Sequence, residues 1–266
     1  LDLSSLRMIC TGGEPWTEKP WKWLFQIIGK SKVPIMNSAG GTEVSGSILH
    51  CCLHRPFKVG SFNAPIPGMS ADILNLDGKK VSTNEMGELV MRKSSIGLTK
   101  SLWNDDKRYI DNYWSVIKDY WVHGDLASRD ADGHWYLHGR SDDTIKVSGK
   151  RIGPSELESV IVKSGKAKEV AAVGIPDENK GSKIILSIVP AENNDQKESF
   201  FEDLVIKDLG KSFKPDKVIF VKDLPKTRNM KIMRRVIKSC LANQDPGDLS
   251  TLLNPESVEE IRSHAI

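Results

Sequence analysis

The chain has 266 residues, of which 39% are hydrophobic and 27% are charged, and this composition excludes collagen-like, low-complexity and wholly disordered proteins. Its 38 Lys and Arg residues nearly balance 35 Asp and Glu residues, so the net charge of +3 does not by itself indicate a nucleic-acid or membrane partner. No apolar run approaches the roughly 18–20 residues of a membrane-spanning helix, and no signal peptide is recognisable. We therefore expect a cytoplasmic protein, and the absence of a C-x-x-C pair favours reduced cysteines.

The first strands predicted along the chain each end in a polar turn. Apolar residues 6–10 predict a strand that runs into TGGEP, and residues 16–28 have helical spacing. A second short strand at residues 33–36 enters NSAGGTE at residues 37–43. Two strands that deliver polar turns to one edge are typical of an α/β sheet.

From about residue 58 to residue 136 the pattern changes to short strands separated by turns. Asp-Gly pairs near residues 75–79 and 130–133 are typical of hairpin turns. This part of the chain predicts a small antiparallel barrel or sheet, with strand candidates at 71–76, 87–91 and 134–137.

Past Gly139 strands and helices alternate again, which predicts a compact α+β module with a boundary near Asp142. A helix is expected to open at Pro154, and residues 191–198 are polar enough to predict a loop. The remaining candidates are strands at 144–147, 170–174, 183–189 and 217–221, a helix at 199–209 and weak helical character at 257–262.

Two features suggest anionic ligands. Turns rich in Ser, Thr and Gly after strands can hold phosphate through backbone N–H groups and hydroxyls, although most such turns are ordinary loops. Residues 207–238 contain eleven Lys and Arg against three Asp, an excess of eight positive charges. A solvated helix face or a nucleic-acid surface could also explain that excess, but no aromatic residues interleave the basic run at 226–238.

Three separated groups of motifs stand along the chain. They are TGGEP at 11–15 with NSAGGTE at 37–43, HGD at 123–125 with GRSDDTIKVSGKRIGPSE at 139–156, and LPKTRNMKIMRR at 224–235. Together they resemble the successive signatures of the AMP-forming acyl-CoA synthetases, in the acetyl-CoA synthetase-like branch of the adenylate-forming superfamily. Their order and spacing match, and the tail GDLSTL at 247–252 extends the resemblance over essentially the whole chain.

The resemblance implies a division of the chain into three parts. Residues 1–57 correspond to the end of the large-domain α/β sheet, and residues 58–141 to its β-barrel-like subdomain. Residues 142–266 correspond to a mobile α+β domain that rotates between two half-reactions. Asp142 matches the hinge of that rotation.

The implied reaction joins a small-molecule carboxylic acid to ATP, giving an acyl-adenylate, and CoA then displaces AMP. The resemblance assigns Thr42 to the α-phosphate, Glu43 to Mg²⁺ and Lys231 to the charge that develops during adenylation. Asp125 and Arg140 correspond to ribose contacts. The complete nucleotide-binding set is Gly13, Glu14, Pro15, Asn37, Ser38, Thr42, Asp125, Arg140 and Arg151.

The resemblance also places CoA and the acid. Ser148, Gly149 and Lys150 correspond to the loop that lines the CoA channel. Ala39 and Gly40 stand where acetate-using members have two tryptophans, the second of which closes the acyl pocket. The missing indole predicts an acid larger than acetate.

The sequence departs from the family pattern in two further places. No segment matches the family's upstream loop for the β- and γ-phosphates, so we expect residues 1–266 to be the C-terminal half of a longer enzyme, inactive in adenylation by itself. Asn229 and Met230 replace the usual Ser-Gly before the lysine. Apolar surface near Leu1 is expected to support a homo-oligomer.

Three other readings of the function stay open. An adenylating relative could pass its acyl group to a carrier-protein pantetheine. The chain could also be a non-catalytic nucleotide- or CoA-binding module, or a basic RNA-binding domain, although we expect no nucleic-acid partner. His123 lies beside Asp125 and could act as a base, but we favour a packing role because adenylation of a carboxylate removes no proton.

Overall fold

The computed structural model describes residues 2–192 and 195–266, and the chain divides into two compact units, Leu1–Asp142 and Asp143–Ile266. The division falls directly after Asp142, the residue that the sequence predicts as a hinge. The loop predicted at 191–198 includes residues 193 and 194, which lie outside the described residues.

The first sheet of the first unit is four-stranded, with the order β1-β2-β3-β4. Its strands are β1 (Ile9–Thr11), β2 (Ile35–Gly41), β3 (Gly46–His50) and β4 (Ala64–Pro65). β1 and β2 are parallel, with Ile9 opposite Ile35, whereas β2–β3 and β3–β4 are antiparallel.

This sheet differs from the sequence prediction in two places. Residues 37–41, predicted as a turn, continue β2, because Gly40 and Gly41 can lie close to the backbone of β3. The sheet reaches Pro65 through pairing with Leu49, beyond the predicted limit at residue 57. The predicted helix at 16–28 is present as α1 (Glu18–Trp23), continued by a π-helical turn over Leu24–Ile28.

The second sheet of the first unit is antiparallel and runs in chain order. A short helix, α2 (Asp106–Tyr109), and a π-helical turn (Ile110–Trp114) precede its third strand. Large buried side chains, among them Leu89, Trp121 and Trp135, form the core of this unit. The strands are β5 (Ala71–Leu74), β6 (Gly87–Met91), β7 (Trp121–Arg129) and β8 (Trp135–Arg140).

Strand β7 carries the HGD motif and was not predicted. Gly124 has a positive φ of 82°, and the register of β7 against β8 shifts between Leu126 and Ala127. These irregularities break the two-residue alternation by which a half-buried strand is recognised in a sequence. The irregular strand is therefore what places this motif beside β8.

The second unit is a three-stranded sheet covered on both faces, with a separate hairpin before it. The hairpin joins β9 (Ile145–Val147) to β10 (Lys150–Ile152). The sheet contains β11 (Ala167–Asp177), β12 (Gly181–Pro190) and β13 (Lys217–Phe220), with β11–β12 antiparallel and β12–β13 parallel. The helices are α3 (Pro154–Lys163), α4 (Glu198–Leu209), α5 (Arg234–Leu241) and α6 (Glu256–Arg262).

Alternation along the strands explains why both faces of this sheet are covered. Ile184 and Leu186 belong to the core beneath α3 and α4, whereas the intervening Ile185 belongs to the core beneath α5 and α6. The predicted combination of α/β and α+β architecture is confirmed. Among the residues described, no helix has both the length and the apolar character that crossing a membrane requires.

Candidate active site

The two polar motifs that follow β1 and β2 lie against each other. Thr11 Oγ1 donates a hydrogen bond to Asn37 Oδ1 at 3.2 Å, and Ser38 Oγ donates to the Thr11 carbonyl at 3.2 Å. A Cβ on Gly12 would lie 2.9 Å from the Ser38 carbonyl oxygen, so only glycine permits this approach. The parallel pairing of β1 and β2 thus brings residues 11–13 beside residues 37–38.

Residues Gly13, Glu14 and Pro15 form the open side of this turn. Gly13 and Glu14 are exposed and Pro15 is half-buried. Gly13 has a φ of 108°, and no atom lies within 4 Å of the position where a Cβ would stand. The turn therefore offers bare backbone, against which a flat ring could pack.

Thr42 and Glu43 open a short 3₁₀ turn, Thr42–Val44, directly after β2. Thr42 is exposed, whereas Glu43 is half-buried. Glu43 Oε1 accepts a hydrogen bond from the Tyr113 hydroxyl at 2.9 Å, and the Glu43 carbonyl accepts one from the Thr99 N–H at 2.7 Å. Burial, reinforced by the Glu43 carboxylate, raises the pKa of Tyr113 to about 12, so Tyr113 remains a donor at neutral pH.

Asp125 and Arg140 stand opposite each other on β7 and β8. Arg140 Nη1 lies 3.7 Å from Asp125 Oδ1 and donates to the His123 carbonyl at 3.0 Å, while Arg140 Nε donates to Asp142 Oδ1 at 3.1 Å. Burial lowers the pKa of Arg140, but Asp142 and Asp125 outweigh it and raise that pKa above its ordinary value. The guanidinium thus joins the predicted ribose carboxylate to the predicted hinge residue.

His123 is buried, and its Nε2 lies 3.2 Å from Asp125 Oδ2. A Cβ on Gly41 would lie 3.1 Å from His123 Cε1 and 2.9 Å from Glu43 Oε2. The end of β2 therefore brings the Glu43 carboxylate and the His123–Asp125 pair into one place. This position fits the packing role expected for His123.

The chemistry of Glu43 suits magnesium. A carboxylate oxygen is a hard ligand of the kind Mg²⁺ prefers, and Mg²⁺ usually takes only one or two carboxylates together with water and phosphate oxygens. Within the described residues no three His, Cys, Asp or Glu side chains are grouped as a metal site. The donor set present therefore fits a metal held mainly by the nucleotide.

Ala39 and Gly40, predicted to line an acyl pocket, face protein atoms. Ala39 packs against the core of the first unit. A Cβ on Gly40 would lie 2.1 Å from the Gly46 carbonyl oxygen and 2.4 Å from Ser47 Cα, both of them backbone atoms of β3. A side chain at position 40 would therefore require β3 to move, and the acyl-pocket assignment stays a prediction.

In the second unit the predicted CoA loop is a two-residue hairpin turn. Ser148 and Gly149 have φ values of 49° and 81°, as a type I′ turn requires. The Ser148 N–H donates to the Lys180 carbonyl at 2.8 Å, and Lys150 Nζ donates to Ser212 Oγ at 3.0 Å. The residues at the tip, as well as Arg151, are exposed.

Lys231 lies at the end of a second tight turn. The Thr227 N–H donates to the Lys231 carbonyl at 2.9 Å, and the Lys231 N–H donates to Thr227 Oγ1 at 3.2 Å. Met230 has a φ of 63°, a conformation for which the family's usual glycine is better suited. Lys231 is exposed.

Much of the basic run 207–238 is engaged within the unit, which the sequence did not reveal. Arg234 forms a bidentate pair with Glu158 at 2.9 and 2.8 Å. Lys226 is 5% exposed, and its Nζ lies 2.6 Å from both Glu169 Oε2 and Asp223 Oδ1. Burial lowers the pKa of Lys226, but the two carboxylates outweigh this and raise it. The charge excess is therefore partly structural.

Comparison with known proteins places the chain in a class. It belongs to the AMP-binding enzymes: the family model for the AMP-binding enzyme matches residues 1–103, and that for the AMP-binding enzyme C-terminal domain matches residues 156–231.

Among curated relatives, the chain is similar to two acetyl-coenzyme A synthetases. That of Methanothrix soehngenii is 38% identical over 270 residues, covering 98% of this chain and 40% of the relative. That of Pasteurella multocida is 36% identical, covering 98% of this chain and 42% of the relative. The chain thus spans well under half the length of these relatives.

Solved structures show the same fold. The acetoacetyl-CoA synthetase from Streptomyces lividans superposes with a TM-score of 0.85 at 23% identity, over 99% of this chain and 41% of that one. An anthranilate CoA ligase in complex with anthranoyl-AMP gives a TM-score of 0.73 at 27% identity, over 88% of this chain and 44% of that one.

Proposed function

We propose that the protein is an AMP-forming acid–CoA ligase that uses ATP, Mg²⁺ and CoA. The carboxylate of the acid attacks the α-phosphate of ATP, the bond to pyrophosphate breaks, and an acyl-adenylate forms. The CoA thiol then attacks the acyl carbon and releases AMP. The observation that carries the proposal is the convergence of Glu43, Asp125 and Arg140 around the end of β2.

The proposed roles follow from the chemistry of each side chain. Asp125 accepts hydrogen bonds from ribose hydroxyls, and Arg140 lies beside that carboxylate, 3.7 Å away, and orients it. Backbone at Gly13, Glu14 and Pro15 packs against the adenine, beside Asn37 and Ser38. Thr42 donates to the α-phosphate. Bound magnesium supplies positive charge that neutralises the phosphate oxygens, and Glu43 is the side chain that would hold it.

Lys231 is proposed to stabilise the negative charge that develops on the carboxylate and α-phosphate oxygens during adenylation. Its exposed position on a tight turn supports this role, because the ammonium group is available to a ligand. Asp142 is proposed as the pivot of the second unit, and Ser148, Gly149, Lys150 and Arg151 as contacts for CoA and nucleotide. The positive-φ turn supports close approach of a ligand to the backbone.

The acid is proposed to be larger than acetate. Support comes from Ala39 and Gly40, which carry no indole where acetate-using members have tryptophans. The backbone of β3 lies beside Gly40, so Ala39 and the path of β3 together shape this region. Each additional buried methylene contributes about 0.8 kcal/mol, which predicts at least a tenfold preference for a longer, branched or aryl acid.

An ATP–pyrophosphate exchange screen of the intact protein tests the proposal. Acetate, propionate, 2-methylbutyrate, hexanoate and benzoate are compared by kcat/KM, and exchange should be fastest with an acid larger than acetate. Acetate ranking first would contradict the size preference, while no exchange with any acid would favour a non-catalytic module. Residues 1–266 expressed alone are expected to show no exchange, because none of them matches the family's β,γ-phosphate loop.

An assay of the second half-reaction distinguishes the ligase from an adenylating relative that uses a carrier protein. Acyl transfer from supplied acyl-adenylate to CoA supports the ligase, whereas transfer only to a carrier-protein pantetheine would support the adenylating relative.

We further propose a cytoplasmic location, where ATP and CoA are available, and a homo-oligomer, which light scattering would test. No nucleic-acid partner is proposed, because paired residues such as Lys226 and Arg234 account for part of the basic run.

A further inference from the structure

Tyr113 lies in the first unit between α2 and β7, and its ring is fixed by aromatic neighbours. Its centroid is 5.3 Å from that of Trp121, with only 6° between the ring planes, and 5.5 Å from that of Tyr109. Trp121 is buried in the core. A phenol stacked in this way has little freedom to move its hydroxyl.

The hydroxyl of Tyr113 determines which oxygen of Glu43 remains available. It donates to Glu43 Oε1 at 2.9 Å. The other oxygen, Oε2, lies on the side of Gly41 and His123, 2.9 Å from where a Cβ of Gly41 would stand. One carboxylate oxygen is thus held by Tyr113, and the second lies near His123, which pairs with Asp125, the proposed ribose contact.

The same segment also holds the main chain of Glu43. The Tyr109 hydroxyl donates to the Thr99 carbonyl at 2.6 Å, and the Thr99 N–H donates to the Glu43 carbonyl at 2.7 Å. Two tyrosines four residues apart therefore restrain Glu43. Tyr113 holds the Glu43 side chain directly, and Tyr109 holds the Glu43 backbone through Thr99. This arrangement resembles the outer hydrogen bonds that orient ligands at metal sites.

We propose that Tyr113 is a positioning residue that presents Glu43 Oε2 to the magnesium ion of the bound nucleotide. The inference rests on the proposed function, because it takes Glu43 as the metal ligand. It assigns a role to a residue outside the motifs of the sequence. Because Tyr113 acts only through Glu43, its loss should weaken metal-dependent binding and leave metal-independent binding unchanged.

Nucleotide titrations of the intact protein test this directly. ATP with Mg²⁺ and AMP with EDTA are titrated calorimetrically into wild type, Tyr113→Phe and the control Tyr136→Phe. The control removes a tyrosine hydroxyl that donates to Asp130, at the turn between β7 and β8. Tyr113→Phe should weaken binding of ATP with Mg²⁺ about tenfold or more, the effect typical of losing an outer hydrogen bond to a metal ligand. AMP binding should stay within about twofold of wild type for both variants.

A double-mutant cycle excludes a merely structural effect. In a Glu43→Gln background, Tyr113→Phe should cause no further loss of Mg²⁺-dependent binding, because the ligand it positions is already altered. Unchanged Mg²⁺-dependent binding in Tyr113→Phe, or equal losses for ATP with Mg²⁺ and AMP with EDTA, would overturn this inference alone. Wild type that binds neither nucleotide would overturn the proposed function and this inference with it.

Discussion

The candidate residues of the two units are held in different ways. In the first unit two acidic side chains are in contact with half-buried or buried neighbours: Glu43 with Tyr113, and Asp125 with His123 and Arg140. In the second unit Lys231 and the Ser148–Gly149 tip are exposed, and hydrogen bonds of the backbone restrain the turns that carry them. Lys226, at the base of the lysine turn, is buried between Glu169 and Asp223.

This difference indicates two kinds of preorganisation. A site for a nucleotide gains from carboxylates already oriented for ribose and metal, because little ordering is then needed on binding. The role proposed for Lys231, in one half-reaction only, is suited by a rigid turn that carries an exposed ammonium group. The first unit thus fixes the side chain itself, whereas the second fixes only the backbone that carries it.

The largest expected effect comes from breaking the ion pair between Glu158 and Arg234, the first residue of α5. Glu158→Ala leaves the Arg234 guanidinium and the Ala172 N–H without this carboxylate. The two paired side chains are only 13–14% exposed, and removing one partner of a fully buried pair costs about 3–5 kcal/mol, which sets the upper limit here. Hydrogen exchange in increasing urea should show that loss in the second unit. Glu202→Ala removes a more exposed pair, in which the Lys214 side chain is 53% exposed, and should cost under about 1 kcal/mol. Equal costs would show that α5 is not held by Glu158.

The next largest effect is expected from removing the exposed Lys231 ammonium group. Lys231→Ala should slow adenylation by about two to three powers of ten and spare thioester formation from supplied acyl-adenylate. The two half-reactions are measured separately, with Lys238→Ala, an exposed lysine on α5, as the control. Equal slowing of both half-reactions would contradict a role in one of them only.

A smaller effect tests how closely β2 and β3 are packed in the first unit. Gly40→Ala places a Cβ against backbone atoms of Gly46 and Ser47 and should lower the free energy of unfolding by about 1–3 kcal/mol. Gly46→Ala, on the partner strand, meets no atom within 4 Å and should be nearly neutral. Thermal melting of the two variants decides the matter, and a stable Gly40→Ala would show that β3 yields readily.

The smallest effect concerns the rim of the first unit. Burial raises the pKa of Asp130, but hydrogen bonds from Lys58 and the His134 backbone outweigh it and lower that pKa to about 2. Because the folded-state pKa is below the unfolded one, this pair stabilises the fold above about pH 4, and the contribution is lost as the pH falls towards 2. Lys58→Met should remove under about 1 kcal/mol at pH 7 and flatten the acid limb of a stability–pH curve. An unchanged acid limb would show that Lys58 is not the cause.

Local patterns in the sequence predicted much of the fold. The Asp-Gly turns, the helix start at Pro154 and strands such as residues 87–91 were located because turn chemistry and apolar periodicity are local properties. Strand β7 was not predicted, and of the hairpin around Ser148 only the first strand, at 144–147, was predicted. Their glycines, bulges and positive-φ residues break the periodicity on which such prediction depends.

The sequence by itself determined which motifs are present, their order, and hence the family and the candidate residues from Gly13 to Lys231. Only the tertiary structure decided what those residues touch. Glu43 and Tyr113 are 70 residues apart, and Glu158 and Arg234 are 76 apart. No local signal links such pairs, because the packing of whole strands and helices brings them together and a shift of one residue in register would separate them. For the same reason only the fold showed that the space beside Gly40 is filled by β3.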